Sequence, residues 1–155
     1  MIWVERIGFL LYTGLLARCD RQTGRIPLPL ILAGCCGGLM LRAAELMSGT
    51  LSWRVLLSAY AAGAAWGVLL LLAGALARQA VGKGDGLCFI SFAFWKDNAF
   101  VFTLLLLSVL LLALFGVLLM VFRKKKRDLS LPLMPFVWLT AFGLLTAEVL
   151  PEVLR

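Results

Sequence analysis

From Val55 to Ala77 the chain carries no charged residue. One helix of that length crosses the roughly 30 Å apolar core of a bilayer, and water offers such a run no comparable place. The rest of the chain follows the same pattern: of 155 residues, 63% are hydrophobic and 15% charged, with a mean hydropathy of +1.01. A soluble domain of this size cannot bury that much apolar surface, so the composition predicts an all-α, polytopic membrane protein. At about 20 residues per span, six transmembrane helices are predicted at about 3–18, 27–47, 54–77, 85–96, 99–122 and 130–150, in a single domain over 1–155. The first run contains Glu5 and Arg6 and has no small-residue cleavage site. It therefore reads as a retained helix, with the mature chain starting at or near Met1. The fourth helix is short. Leu87–Trp95 cannot cross a bilayer, so this helix is expected to start inside the protein from an irregular, Gly-rich entry, Gly82-Lys83-Gly84-Asp85.

Six spans put both termini on one side together with the second and fourth loops. Arg6, Arg42, Arg54, Lys96 and Arg155 fall there, while Arg18, Arg21, Arg25, Arg78, Lys83 and the run Arg123–Arg127 fall opposite. The excess of basic residues on the odd-numbered loops assigns them to the cytoplasm and both termini to the outside of the cell (inner) membrane. The net charge of +7 is then a matter of topology and anionic lipid. Arg123–Arg127 reads as an anchor on that lipid, and nucleic acid is excluded as a partner because no polar domain could carry it.

The chain has no histidine. That rules out Ser-His-Asp and Cys-His arrangements, HExxH metalloprotease sites and any imidazole base. Cys19, Cys35, Cys36 and Cys88 show no CxxC spacing, so they read as packed free thiols, with no metal and no cofactor expected.

The topology sorts the eight acidic residues. Glu5, Glu45, Asp97, Glu148 and Glu152 fall at external helix ends, where solvation is expected to be cheap, leaving Asp20, Asp85 and Asp128 on the cytoplasmic side. Asp128 follows five basic residues and reads as a neutralised loop carboxylate or a helix cap. Taken singly, Asp20 is a solvated charge among Arg18, Arg21 and Arg25, and Asp85 is a helix N-cap. Taken together, at the cytoplasmic ends of the first and fourth helices, they form two carboxyl groups able to share a proton. One can act as base on a water and the other as acid. Gly82 and Gly84 lack Cβ atoms and would let a peptide backbone approach Asp85. Lys83, between them, could tune the site electrostatically.

In this arrangement the chain resembles the type IV prepilin peptidase family, with its archaeal preflagellin relatives: membrane aspartic proteases with a GxGD signature. Asp20–Pro27 is similar to the family's first aspartate followed by a polar loop and an Ile-Pro, here Ile26-Pro27. Gly82–Asp85 is similar to the second aspartate's motif, and Leu131–Phe136 to a Pro-x-x-Pro-Phe segment opening the last helix. The resemblance implies a six-helix peptidase with Asp20 and Asp85 catalytic, cutting the basic leader of a prepilin-like partner after a glycine at the cytoplasmic membrane face. With no paired CxxC segment before Asp20, it implies cleavage without methylation and no S-adenosylmethionine site. Leu28 and Leu87 stand where family members commonly have Asn and Lys. Their presence supports a second reading, an inert family member acting in pilus or secretion assembly. A small ion or proton transporter using the same acids is a third. Oligomeric state is not encoded in any feature above.

Overall fold

A computed structural model describes residues 2–49, 52–76, 83–123 and 132–153. All regular structure among them is helical: α1 (Ile2–Thr23), α2 (Leu28–Met47), α3 (Trp53–Leu76), α4 (Lys83–Phe92), α5 (Asn98–Arg123) and α6 (Met134–Val153). By length and composition, three of them can cross a membrane: α2 over Leu28–Met47, α3 over Leu56–Ala75 and α5 over Asn98–Leu119. Helix α6 has a shorter apolar stretch, Met134–Leu150. Helix α1 carries Glu5, Arg6, Arg18, Asp20 and Arg21 within its length, and α4 has only 10 residues, so neither meets the same standard. Large apolar side chains such as Leu11, Leu32, Met40, Leu72, Leu110, Leu114 and Leu139 face outward, more than half exposed, around the whole bundle. An apolar surface that extensive is suited to lipid.

Helix α1 runs further than the sequence predicts. The hydropathy run ends near Arg18, but Cys19–Thr23 stay helical, so Asp20 sits in the last helical turn rather than in a polar break. The stop comes at Gly24. Its φ of +60° places it in the left-handed region, and its N–H bonds the Asp20 carbonyl at 2.9 Å, as a glycine just past a helix end commonly does. After Arg25 and Ile26, Pro27 (φ −68°, ψ 127°) caps α2 without needing an N–H of its own.

Helix α4 lies inside the bundle. Cys88, Phe89, Ser91 and Phe92 expose no surface, which accounts for a 10-residue helix in an apolar chain: protein, not lipid, surrounds its ends. Phe92 meets Phe9 of α1 edge-on at 5.5 Å, and Trp95, just beyond α4, stacks on Tyr12 at 5.9 Å. Two buried hydrogen bonds fix the register: Tyr12 Oη with Ser91 Oγ at 2.7 Å, and Trp95 Nε1 to the Gly34 carbonyl at 2.8 Å. Small residues allow this closeness. A Cβ on Gly38 would lie 2.8 Å from the Phe94 backbone, and one on Gly67 of α3 would lie 2.6 Å from the Gly86 carbonyl of α4. Of the cysteines, Cys88 is buried, Cys19 and Cys35 are half-buried, and Cys36 is exposed, so the packed-thiol expectation fails for Cys36.

At one end of the bundle, charges from four elements interlock. Arg42 reaches Glu45 (2.7 Å) and Glu5 (3.2 Å) and donates to the Trp95 carbonyl. Lys96 lies 3.4 Å from Glu5 and 3.5 Å from Glu148, and Arg6 lies 3.6 Å from Glu148. The sequence reading of Glu5, Glu45 and Glu148 as cheaply solvated is thus corrected. Glu5 and Glu45 keep only 13% and 20% of their side chains exposed, and all three are ion-paired. The network gathers the start of α1, the last parts of α2 and α6, and the turn that follows α4. Asp20 and Asp85 belong to the opposite ends of α1 and α4.

Candidate active site

The site is built from three chain segments. Asp20, in the last turn of α1, turns inward and is 9% exposed, whereas Arg18, Arg21 and Arg25 around it are exposed. Its Oδ2 accepts the backbone N–H of Met134, the first residue of α6, at 3.1 Å. Met134 is 1% exposed and Leu133 before it 7%. The segment resembling Pro-x-x-Pro-Phe is therefore tied to the first aspartate across 114 positions of sequence. Leu131 lies outside the described residues.

The second tie joins the first segment to the glycine motif. Ile26, in the α1–α2 connection, rests against Gly84: a Cβ there would stand 3.5 Å from Ile26 Cδ1. Gly84 is followed by Asp85 in the first turn of α4, half-buried. The free N–H groups of that turn favour a negative charge. Lys83 begins the helix, but its side chain, together with Gly82, Arg78 and Asp128, lies outside the described residues.

One turn along α4 from Asp85 comes Cys88, fully buried. Cys88 belongs to the helix that carries Asp85, while Asp20 closes α1 beside the connection whose Ile26 rests on Gly84. The spacing of three between Asp85 and Cys88 was a visible signal, since it places both on one helical face. Nothing local in the sequence points to Met134.

Burial raises the Asp20 carboxyl above its ordinary 3.8, and the Met134 N–H partly opposes the shift by favouring the charged form. Asp20 lies beyond the apolar span of α1, so the effect is one of protein burial. Pro27 holds the entry to α2, and Leu28, at its first position, is 56% exposed; Leu87 packs partly against the core. Among the described residues no group of three or more Cys, Asp or Glu side chains gathers as metal ligands would. An apolar groove of about 390 Å³, lined by Trp3, Arg6, Ile7, Leu10 and Leu145, lies between α1 and α6 near the ion-paired end and has no part in this chemistry.

Neither protein-family models, nor curated proteins, nor solved structures give a match to this chain.

Proposed function

We propose that the protein is a membrane aspartic endopeptidase in which Asp20 and Asp85 activate a water against a peptide bond. The observation that carries this reading is the convergence of three separated segments. Asp20 is bonded to Met134, and Ile26, six residues after Asp20, rests on Gly84, the neighbour of Asp85. Asp85, at a helix N-terminus, takes a proton from the water as it attacks the carbonyl carbon. Asp20, whose burial favours the protonated form, gives its proton to the carbonyl oxygen as the water adds; Asp85 then passes the proton it took from the water to the leaving amine, while Asp20 recovers one from a hydroxyl of the tetrahedral intermediate as the C–N bond breaks. Gly84 supports the approach of an extended backbone, because its own neighbours would accept a Cβ at ordinary contact distance. Its bareness is better explained by a visitor than by packing.

In this reading all six helices lie in the cell membrane, α1 and α4 being carried by the apolar helices around them, with the aspartates at the cytoplasmic face and both termini outside. The substrate is a prepilin-like protein with a basic leader, cut after a glycine. The test is co-expression with such a substrate. Asp20→Asn and Asp85→Asn should each abolish cleavage while the protein still accumulates in membranes. Normal cleavage by either variant rejects the dyad.

One observation favours a second reading. The Asp20–Met134 bond also serves as a cross-chain cap for α6, which an inert assembly protein would need as much as a peptidase. Asparagine keeps an acceptor oxygen in that place. A scaffold would therefore support pilus assembly in both variants, and a peptidase in neither.

A further inference from the structure

We propose that the backbone N–H of Met134 is the positioning group for Asp20, and that the segment opening α6 is built to present that one donor. The first turn of a helix has N–H groups without partners in the helix. Here most of them are removed or used. Pro135 has none, and the N–H groups of Phe136 and Val137 both bond the Leu133 carbonyl, at 3.0 and 3.2 Å. Met134 is left, and its N–H meets Asp20 Oδ2 at 3.1 Å in a place where both residues are buried.

A single directed donor does two things for a carboxyl group that must hold and release a proton. It fixes which oxygen faces α6, leaving the other to hold the mobile proton. It also partly offsets the burial that favours the neutral form. The titratable and charged groups to be weighed with Asp20 are Arg18 and Arg21 on its own helix, Arg25 just beyond, and Asp85 and Cys88 in the first turns of α4. The arginines are exposed, and among the described residues none is ion-paired with Asp20. On α6 the carboxylate Glu148 is at the far end, in the ion-pair network. The backbone donor is therefore the one contact on Asp20 that favours its charged form among those described.

The catalytic meaning of this contact rests on the peptidase reading; the contact itself can be tested without it. Met134→Pro removes the N–H at a helix start, where proline is well tolerated, and Met134→Ala removes the same side chain but keeps the N–H. Full-length protein is reconstituted in lipid vesicles, and the infrared carbonyl band of the Asp20 carboxyl, assigned by its loss in Asp20→Asn, is titrated. The midpoint in Met134→Pro should lie about one pH unit above that in Met134→Ala, the size of one backbone hydrogen bond to a carboxylate. The Asp20-dependent limb of the cleavage–pH profile should move with it. Equal midpoints in the two variants overturn the proposal. If Met134→Pro does not accumulate, Pro135→Ala adds a donor to the same turn. A lowered midpoint then supports the proposal, and an unchanged one overturns it. Full cleavage by Asp20→Asn would overturn the peptidase reading and with it the catalytic role of the contact, whereas the infrared shift would still report the contact itself.

Discussion

At the end of the bundle holding Glu5, Arg42 and Glu148, side-chain cations and carboxylates from four elements neutralise one another. At the end holding Asp20, three arginines stand exposed, and the carboxyl group turns away from them to a backbone N–H. The difference lies in what each arrangement does to a proton. Interlocked ion pairs hold both partners charged and leave nothing to transfer, so their role is to fix the ends of α1, α2, α4 and α6 together. A buried carboxyl group whose described partner is a backbone N–H has no such counter-charge, and its burial favours the protonated form.

The sharpest way to break this contrast is to remove a carboxyl at the Asp20 end. Asp20→Asn and Asp85→Asn should each lower leader cleavage by roughly 10²- to 10⁴-fold, the range for a lost acid or base, with membrane accumulation unchanged. The same assay on Glu45→Gln should show no catalytic loss per folded molecule. A comparable loss there would mean that the two ends do not differ as described.

Stability should respond in the opposite sense. Arg42→Leu removes the charged hydrogen bonds that Arg42 makes to Glu5 and Glu45, both mostly buried, and should destabilise the protein by about 1–3 kcal/mol. Thermal unfolding in detergent micelles measures this, with cleavage by the surviving folded fraction unaltered. Glycines divide the molecule in a related way. Gly67→Ala puts a Cβ 2.6 Å from the Gly86 carbonyl and 2.7 Å from the Ile90 nitrogen, so α3 and α4 must separate, at a cost of about 1–3 kcal/mol. Among the described residues the Cβ of Gly84→Ala meets Ile26 first, at 3.5 Å, an ordinary contact. It should leave unfolding unchanged and slow cleavage by obstructing the substrate backbone.

How far the sequence reached follows from the range of each signal. Hydropathy over 20-residue windows located all six helices, and the brevity of α4 showed in the charged, Gly-rich break before Leu87. The last turn of α1 did not show, because Cys19–Thr23 are too polar to extend an apolar run, though Gly24 marked the stop. Gly34, Gly37 and Gly38 stand close together in α2 and meet Tyr12, Trp95 and Phe94. Gly67 and Gly86 were not singled out, since their need for one another joins two helices. The same holds for Arg42, which counted as a topological charge until Glu5, 37 positions away, proved to be its partner. Asp20 and Asp85 could be singled out as candidates from their chain positions and glycine context. That Asp20 is held by Met134 depends on a bond over 114 positions, and no local pattern encodes it.

The smallest effect sharpens the comparison most finely, because it separates the two ends by pH alone. Burial raises the Asp20 carboxyl above 3.8, so the folded state holds this proton more tightly than the unfolded chain does. The resulting stabilisation is complete below the unfolded value and is lost as pH rises through the folded one. Asp20→Asn cannot titrate, and it keeps an acceptor for the Met134 N–H. The stability difference between the native protein and Asp20→Asn should therefore fall as pH increases from about 4 upward, then level off once Asp20 is ionised in both states. Thermal unfolding midpoints in detergent across that range, with Arg42→Leu as the control for the ion-paired end, measure it. A difference that stays flat or grows with pH would mean that Asp20 is held as an ordinary charged cap. The contrast between the two ends would then be one of partners alone and not of proton affinity.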